Sequence, residues 1–110
     1  KLEREHLLND ADFARQWVEA RSGRKLGRSR IAQELRRKGI DADEAEEALS
    51  AIGEDAQLAD AIALAEKAAA RAKSDENPRK TYQRIAAMLA RRGFRWDIAK
   101  EALAQVLQAD

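Results

Sequence analysis

The segment IAQELRRKGIDADEAEEALSAI (31–52) recurs as IAAMLARRGFRWDIAKEALAQV (85–106), shifted by 54 residues along a chain of 110. Each copy has an apolar run at helical spacing, a basic pair followed by glycine, and a second apolar run. A repeat of this period is typical of helical units that stack on each other. We therefore predict an all-α chain of two tandem three-helix repeats, over 9–53 and 54–110. The matched positions include Ile31/Ile85, Ala32/Ala86, Leu35/Leu89, Arg37/Arg91, Gly39/Gly93, Asp43/Asp97, Ala45/Ala99, Glu47/Glu101, Ala48/Ala102 and Leu49/Leu103.

Glycines and the single proline fall between the apolar runs, where helices start and stop. Asp41 with Glu44 three residues later predicts a capping box, and Asn77 followed by Pro78 predicts a helix start. No segment alternates with a period of two, so no strand is predicted. The predicted helices run from Asp10 to Gly23, from Gly27 to Gly39, from Asp41 to Gly53, roughly over 55–73, from Asn77 to Gly93, and from near Trp96 onward.

Apolar stripes on these helices predict the core. The fourth helix is expected to bury Leu58, Ala61, Ile62, Ala65 and Ala69. Both tryptophans could stack on nucleotide bases, but Trp17 follows Phe13 at i+4 on an apolar stripe. We interpret both Trp17 and Trp96 as packing residues.

The composition speaks against catalysis. The chain has no cysteine, and its one histidine, His6, has no serine or cysteine partner nearby. There is no phosphate-binding glycine loop, and the acidic residues of the third helix are spread around it without the spacing of an EF-hand loop. We predict no enzyme activity, no catalytic residues, no metal and no cofactor. No apolar run approaches the roughly 20 residues of a membrane span, and no signal peptide is seen. The chain does not begin with Met, so we expect a fragment of a longer protein.

The distribution of charge is more informative than the net charge of +1. From Arg21 to Lys38 the only acid is Glu34, whereas every charged residue over 41–60 is acidic. A second basic run covers 79–95. Helix dipoles explain a cation at a helix C-terminus, such as Lys38. They do not explain cations in the loop and helix start over 24–30, so we favour a surface for a polyanion or an acidic protein over a merely solvated face.

Helices two and three also resemble a helix-turn-helix, with small residues at Ala32 and Gly39. In that motif the second helix enters the DNA major groove. Here it carries only acidic charges, so it would repel phosphates: Asp43, Glu44, Glu46 and Glu47. We interpret this resemblance as one of packing.

Three segments resemble the RecX recombination regulators: NDADFARQWVEAR (9–21), LGRSRIAQELRRKGI (26–40) and LARRGFRWDIAKEAL (89–103). Members of that family look like three tandem three-helix repeats in an elongated, curved stack. This sequence is similar to the second and third, with residues 1–8 as the remnant of a preceding repeat. It departs from the pattern at Arg28, where the family often has Pro, and at Arg95, where it tends to have a Ser cap.

The resemblance implies a cytoplasmic, monomeric protein without a small-molecule substrate. Such a protein would bind the RecA filament and its single-stranded DNA along the filament groove and inhibit the recombinase. The alternatives are a nucleic-acid-binding module that needs no protein partner and a purely structural repeat. The predicted filament- or DNA-binding residues are Arg24, Lys25, Arg28, Arg30, Arg36, Arg37, Lys38, Arg91, Arg92 and Arg95.

Overall fold

A computed structural model describes residues 10–107, and these residues form six α-helices without a strand. The first three helices pack on one another, and so do the last three. The molecule is elongated, with extents of 60 × 21 × 18 Å. The predicted all-α fold of two three-helix units is confirmed. The helices are α1 (Asp10–Ser22), α2 (Arg28–Arg37), α3 (Ala42–Leu49), α4 (Glu54–Ala70), α5 (Pro78–Arg91) and α6 (Trp96–Leu107).

The two basic-glycine turns of the repeat end α2 and α5 in the same way. Gly39 and Gly93 have φ of +81° and +96°, the left-handed region that favours glycine. After Gly39, the Ile40 N–H donates to the Leu35 carbonyl at 3.1 Å, and Phe94 repeats this bond. This is a Schellman motif, whose apolar residue after the glycine is buried here in both copies. The recurring sequence therefore specifies a recurring helix end.

Side chains cap two helix starts. Asp41 accepts a bond from the Asp43 N–H at 3.0 Å, and Asn77 accepts one from the Arg79 N–H at 2.8 Å. The predicted N-caps are confirmed, but the capping box is not: Asp41 bonds to the second helical residue rather than to Glu44. Each such cap stabilises its helix by about 1 kcal/mol.

Each unit has its own core. In the first unit it is built around Ile31 and Leu35, and in the second around Ile85, Leu89 and Leu103, all fully buried. The prediction for α4 was partly wrong, because it ends at Ala70 and buries Gln57, Ala61 and Ala65. Leu58, Ile62 and Ala69 lie on the predicted face and pack against the second core, but they are only partly buried.

Gly53 also has a different role from the predicted one. α3 ends at Leu49, and Gly53 precedes α4 with an extended backbone (φ −73°, ψ 157°). It is therefore the N-cap of the next helix rather than the end of the previous one. His6 and the proposed remnant 1–8 lie outside the described residues.

Candidate nucleic-acid and protein interface

The two units meet where the start of α2 contacts the end of α5. We call this contact, made by residues 27–30 and 91–94, the joint. The N–H groups of Gly27 and Ser29 donate to the carbonyls of Arg92 and Gly93 at 2.7 and 3.1 Å. The Arg30 guanidinium donates to the Arg91 carbonyl at 3.2 Å. Free donors at a helix N-terminus thus meet free acceptors at a helix C-terminus, with their dipoles in a favourable orientation.

Gln57 of α4 completes the joint. Its side chain is 3% exposed. Its Oε1 accepts from the Arg28 N–H at 3.1 Å, and its Nε2 donates to the Leu26 carbonyl at 3.4 Å. The start of α2 has no side-chain cap of its own. Gln57 supplies that cap from the other unit by accepting the backbone N–H of the first helical residue, Arg28.

The loop before α2 has a left-handed residue, Lys25, with φ of 58°. Non-glycine residues adopt this conformation rarely, at a cost of about 1 kcal/mol. The Arg92 guanidinium donates to the carbonyls of Lys25 and Arg24 at 3.1 and 2.7 Å. Arg92 therefore holds the loop in this conformation from the second unit.

The joint gathers cations from both units. Within residues 10–107, the side chains of Arg24, Lys25, Arg28 and Arg91 make no hydrogen bond or ion pair. Arg24, Lys25 and Arg91 are exposed, and Arg28 is partly buried. Arg30 and Arg92 bond to backbone carbonyls, which neutralise no charge, and Arg30 also lies 3.6 Å from the Glu34 carboxylate. Cations gathered on one surface create a positive potential that attracts anions. We call the following set the joint patch: Arg24, Lys25, Arg28, Arg30, Arg91 and Arg92.

The other predicted cations lie elsewhere. Arg36 and Arg37 are exposed at the far end of α2. Lys38 follows them, and its Nζ lies 4.2 Å from the centre of the Trp17 ring, a cation–π contact. Arg95 follows the joint and pairs with Asp97 at 2.9 Å, with both side chains exposed. The ten predicted residues therefore do not form one continuous cluster around the joint.

The single acid of the basic segment, Glu34, is used within the first unit. It accepts from Arg21 Nε and Nη2, at 2.9 and 2.8 Å, and from the Trp17 indole N–H at 2.9 Å. Arg30 lies 3.6 Å from the same carboxylate. Trp17 also stacks on Phe13, with ring centroids 5.9 Å apart. The prediction that Trp17 packs is confirmed. Glu34 pairs with one member of the joint patch, Arg30.

The hydrogen bonds from Arg21 lower the pKa of Glu34, and the Trp17 bond adds to this against the opposing effect of burial. A carboxylate whose folded pKa is depressed stabilises the fold above its unfolded pKa and loses that contribution as the pH falls through the folded value. The contribution of Glu34 is therefore present at pH 7 and is lost below about pH 4.5.

Glu34→Gln is expected to lower the free energy of unfolding by about 1–2 kcal/mol at pH 7, because a charge-assisted bidentate pair is lost. The difference between variant and parent should shrink as the pH falls below about 4. Urea unfolding at several pH values measures it. Glu66→Gln on the exposed face of α4 is the control and should change stability by less than about 0.5 kcal/mol. A difference independent of pH would contradict the role assigned to the Glu34 charge.

The prediction for Trp96 was wrong, because its side chain is 57% exposed. Phe94, two residues earlier, is the aromatic residue buried in the second core. Within residues 10–107, no three acidic or histidine side chains are grouped to hold a metal ion. No helix in the same part of the chain is long and apolar enough to cross a membrane.

Sequence reasoning missed Gln57, since a polar residue at the start of a helix looks like a surface residue. Its helical spacing from Ala61 and Ala65 was the available signal, because the three share one face. Sequence reasoning also missed the hydrogen bond that the Trp17 indole N–H donates to Glu34. They come from different helices, and only packing brings them within hydrogen-bond distance.

Fold and joint define a class of protein: an all-α array of three-helix units joined end to end through basic glycine turns. Sequence profiles of the second and third three-helix domains of RecX match residues 9–49 and 55–103. The crystal structure of RecX from Lactobacillus salivarius superposes with a TM-score of 0.83 at 31% identity, covering 96% of this chain and 69% of that one. The chain belongs to the RecX family.

Curated relatives agree with this assignment. The regulatory protein RecX of Clostridioides difficile (strain 630) is 36% identical over 106 residues, covering 96% of this chain and 50% of that protein. The regulatory protein RecX of Mycobacteroides abscessus is 40% identical over 105 residues, covering 89% and 50%. The chain thus spans about half the length of these relatives.

Proposed function

We propose that this chain is a non-enzymatic regulator of recombination that binds the RecA–single-stranded DNA filament along its groove and inhibits the recombinase. The observation that carries the proposal is the joint patch, where cations from both units lie together without a recorded carboxylate partner apart from the Arg30–Glu34 pair. Membership of a family whose relatives are named regulatory proteins supports a regulatory role.

In this proposal the joint patch faces phosphates of the DNA within the filament. Neutralising phosphates releases condensed counterions, so affinity falls with salt, by a slope of about 0.7 per contact on a single strand. The acidic helix α3, with Asp43, Glu44 and Glu47 exposed or half-exposed, would face basic filament surface. Arg36, Arg37, Lys38 and Arg95 are the outer members of the proposed surface.

The same proposal includes a cytoplasmic monomer, with no membrane or small-molecule partner. Its repeats are 9–53 and 54–110, and residues 1–8 belong to a preceding one. The internal helix packing supports the division between the two units.

The test is reversal of Arg24, Lys25 and Arg28 to Glu in one variant. These side chains hold no recorded bond within residues 10–107, so the joint and the helicity should be preserved. We expect inhibition of RecA strand exchange to weaken by about tenfold or more, because several phosphate contacts become repulsive. A filament pull-down, compared with bare single-stranded DNA over a salt series, measures binding directly.

The matched control reverses Lys73, Arg79 and Lys80, three exposed cations before and at the start of α5, which changes net charge equally. It should stay within about twofold of the parent, since these cations lie outside the joint patch. Unchanged inhibition by the first variant would refute a role for the joint patch in inhibition. Tight, salt-dependent binding to bare DNA with no preference for the filament would favour a stand-alone nucleic-acid-binding module instead.

A further inference from the structure

A groove of about 460 Å³ lies between α4 and α5 of the second unit. Its floor is apolar and is made by Leu64, Ala68, Ile85 and Met88. Leu64, Ala68 and Met88 are only partly buried, so the floor is open to a ligand. No carboxylate lines it among the described residues. Its rim carries five cations: Lys67, Arg71, Arg84, Arg91 and Arg92. We call this site the cationic groove.

The corresponding place in the first unit, between α1 and α2, is filled by the chain itself. The Trp17 ring covers it, stacked on Phe13. Glu34 accepts bonds from the indole and from Arg21. The Lys38 ammonium lies over the outer face of the indole, 4.2 Å from its centre. An aromatic ring and a carboxylate, held by cations, thus occupy the first groove.

The internal repeat shows what differs in the second groove. The shift of 54 residues matches Glu34 to Met88 and Lys38 to Arg92. Phe13-Ala14 matches Leu64-Ala65, and Ala14 and Ala65 are both 0% exposed. Trp17 therefore corresponds to Ala68. The second unit has lost the ring and the carboxylate.

Of the cations, Arg21 corresponds to Ala72 by the shift of 51 residues that matches α1 to α4, whereas the others are retained or added. Arg30 corresponds to Arg84 and Lys38 to Arg92 by the same shift. Lys67 in α4 and Arg71, the residue after its end, add two cations at positions where α1 has Gln16 and Ala20. Arg84 has one acidic neighbour, Glu76 at 3.1 Å, outside the groove. The second groove is thus a cationic site without the aromatic ring and the carboxylate that occupy the first groove.

We propose that the cationic groove binds an acidic segment of a partner protein that carries an aromatic residue. The aromatic side chain lies over Ala68 and Met88, as Trp17 does in the first unit. The neighbouring carboxylates pair with Arg71, Arg84 and Arg92. A peptide is favoured over a nucleic acid because the filling of the first groove is itself an indole bonded to a carboxylate. The proposal goes beyond the proposed function, since it does not require the partner to be the recombinase.

The experiment uses the peptide Glu-Glu-Trp-Glu-Glu with a fluorescent label, followed by anisotropy on the full chain. The decisive variant, Ala68→Trp/Met88→Glu, installs the first unit's filling in the second groove. We expect it to weaken peptide binding by about tenfold or more, because the site is then occupied in cis. The matched control is Ala104→Trp/Gln105→Glu on the exposed face of α6, which should leave binding within about twofold.

A second variant, Arg71→Glu/Arg84→Glu, keeps the floor and removes the charge. It should also lose about tenfold in affinity, and its circular dichroism should match that of the parent. A peptide with Ala in place of Trp should bind about tenfold more weakly than the Trp peptide.

Equal binding to the parent and to both groove variants, or no binding to the parent, would overturn the proposal. So would an Ala peptide that binds as well as the Trp peptide. An oligo(dT) that binds more tightly than the peptide, and loses affinity in the filled variant, would assign the groove to nucleic acid instead. Strand-exchange inhibition measured on the same variants separates this outcome from the proposed function. If the parent chain inhibits the filament but does not bind the peptide, the proposed function stands and the peptide site is refuted.

Discussion

Gly27→Ala is expected to lower the free energy of unfolding by about 3 kcal/mol, the upper range for overpacking. A Cβ at Gly27 would lie 2.1 Å from the Gly93 carbonyl carbon and 2.3 Å from the Phe94 nitrogen. Both are backbone atoms of the opposite unit, so no side-chain rotation can relieve the clash. The joint must open, and the 2.7 Å bond from the Gly27 N–H to Arg92 weakens with it.

Gly53→Ala is the matched control, because Gly53 is also a helix N-cap with nearly the same backbone, φ −73° against −77°. A Cβ there would meet nothing within 4 Å. The Gly53→Ala variant should lose less than about 1 kcal/mol in free energy of unfolding. Urea unfolding followed by circular dichroism compares the two. We expect the Gly27 variant to lose cooperativity as its two units separate. Equal losses in both variants would contradict the close approach of backbones at the joint.

Gln57→Ala is expected to lower the free energy of unfolding by about 2–3 kcal/mol, because two hydrogen bonds disappear and their partners stay buried. The Arg28 N–H loses its 3.1 Å acceptor, and the Leu26 carbonyl loses its donor. In a chain of this size, the melting temperature should fall by roughly 10 °C or more. Differential scanning calorimetry measures the change.

Gln83→Ala on the exposed face of α5 controls for loss of a glutamine from a helix. Alanine is the better helix former, so this variant should be neutral or slightly more stable. A Gln57 variant as stable as the Gln83 variant would mean that water replaces the cap, and that the joint does not depend on Gln57.

Local features of the fold were predictable because each depends on residues close together in the chain. The Schellman turns at Gly39 and Gly93 need one glycine and one apolar residue after a helix. The caps at Asp41 and Asn77 need one side chain within two residues of its partner. The internal repeat shows the same local pattern twice. The order of the helices and the division into two units could therefore be predicted from it.

Features that depend on distant partners were not predictable in the same way. Trp96 was expected to pack, yet its side chain is exposed and Phe94 lies in the second core. Gln57 looks like a surface residue until α2 packs against it. The use of Glu34 by Trp17 and Arg21 joins residues 17 and 13 positions apart in the chain.

The sequence by itself determined the helices, their ends, the repeat and the uneven distribution of charge, since all of these are properties of neighbouring residues. Only the tertiary structure decided which cations lie together. It placed the start of α2 on the end of α5, so that Arg24 and Lys25 lie beside Arg92, 67–68 residues away. It also separated Arg36 and Arg37 from that patch. The physical reason is that unsatisfied donors and acceptors at two helix ends can reach each other only where two glycines let the backbones meet.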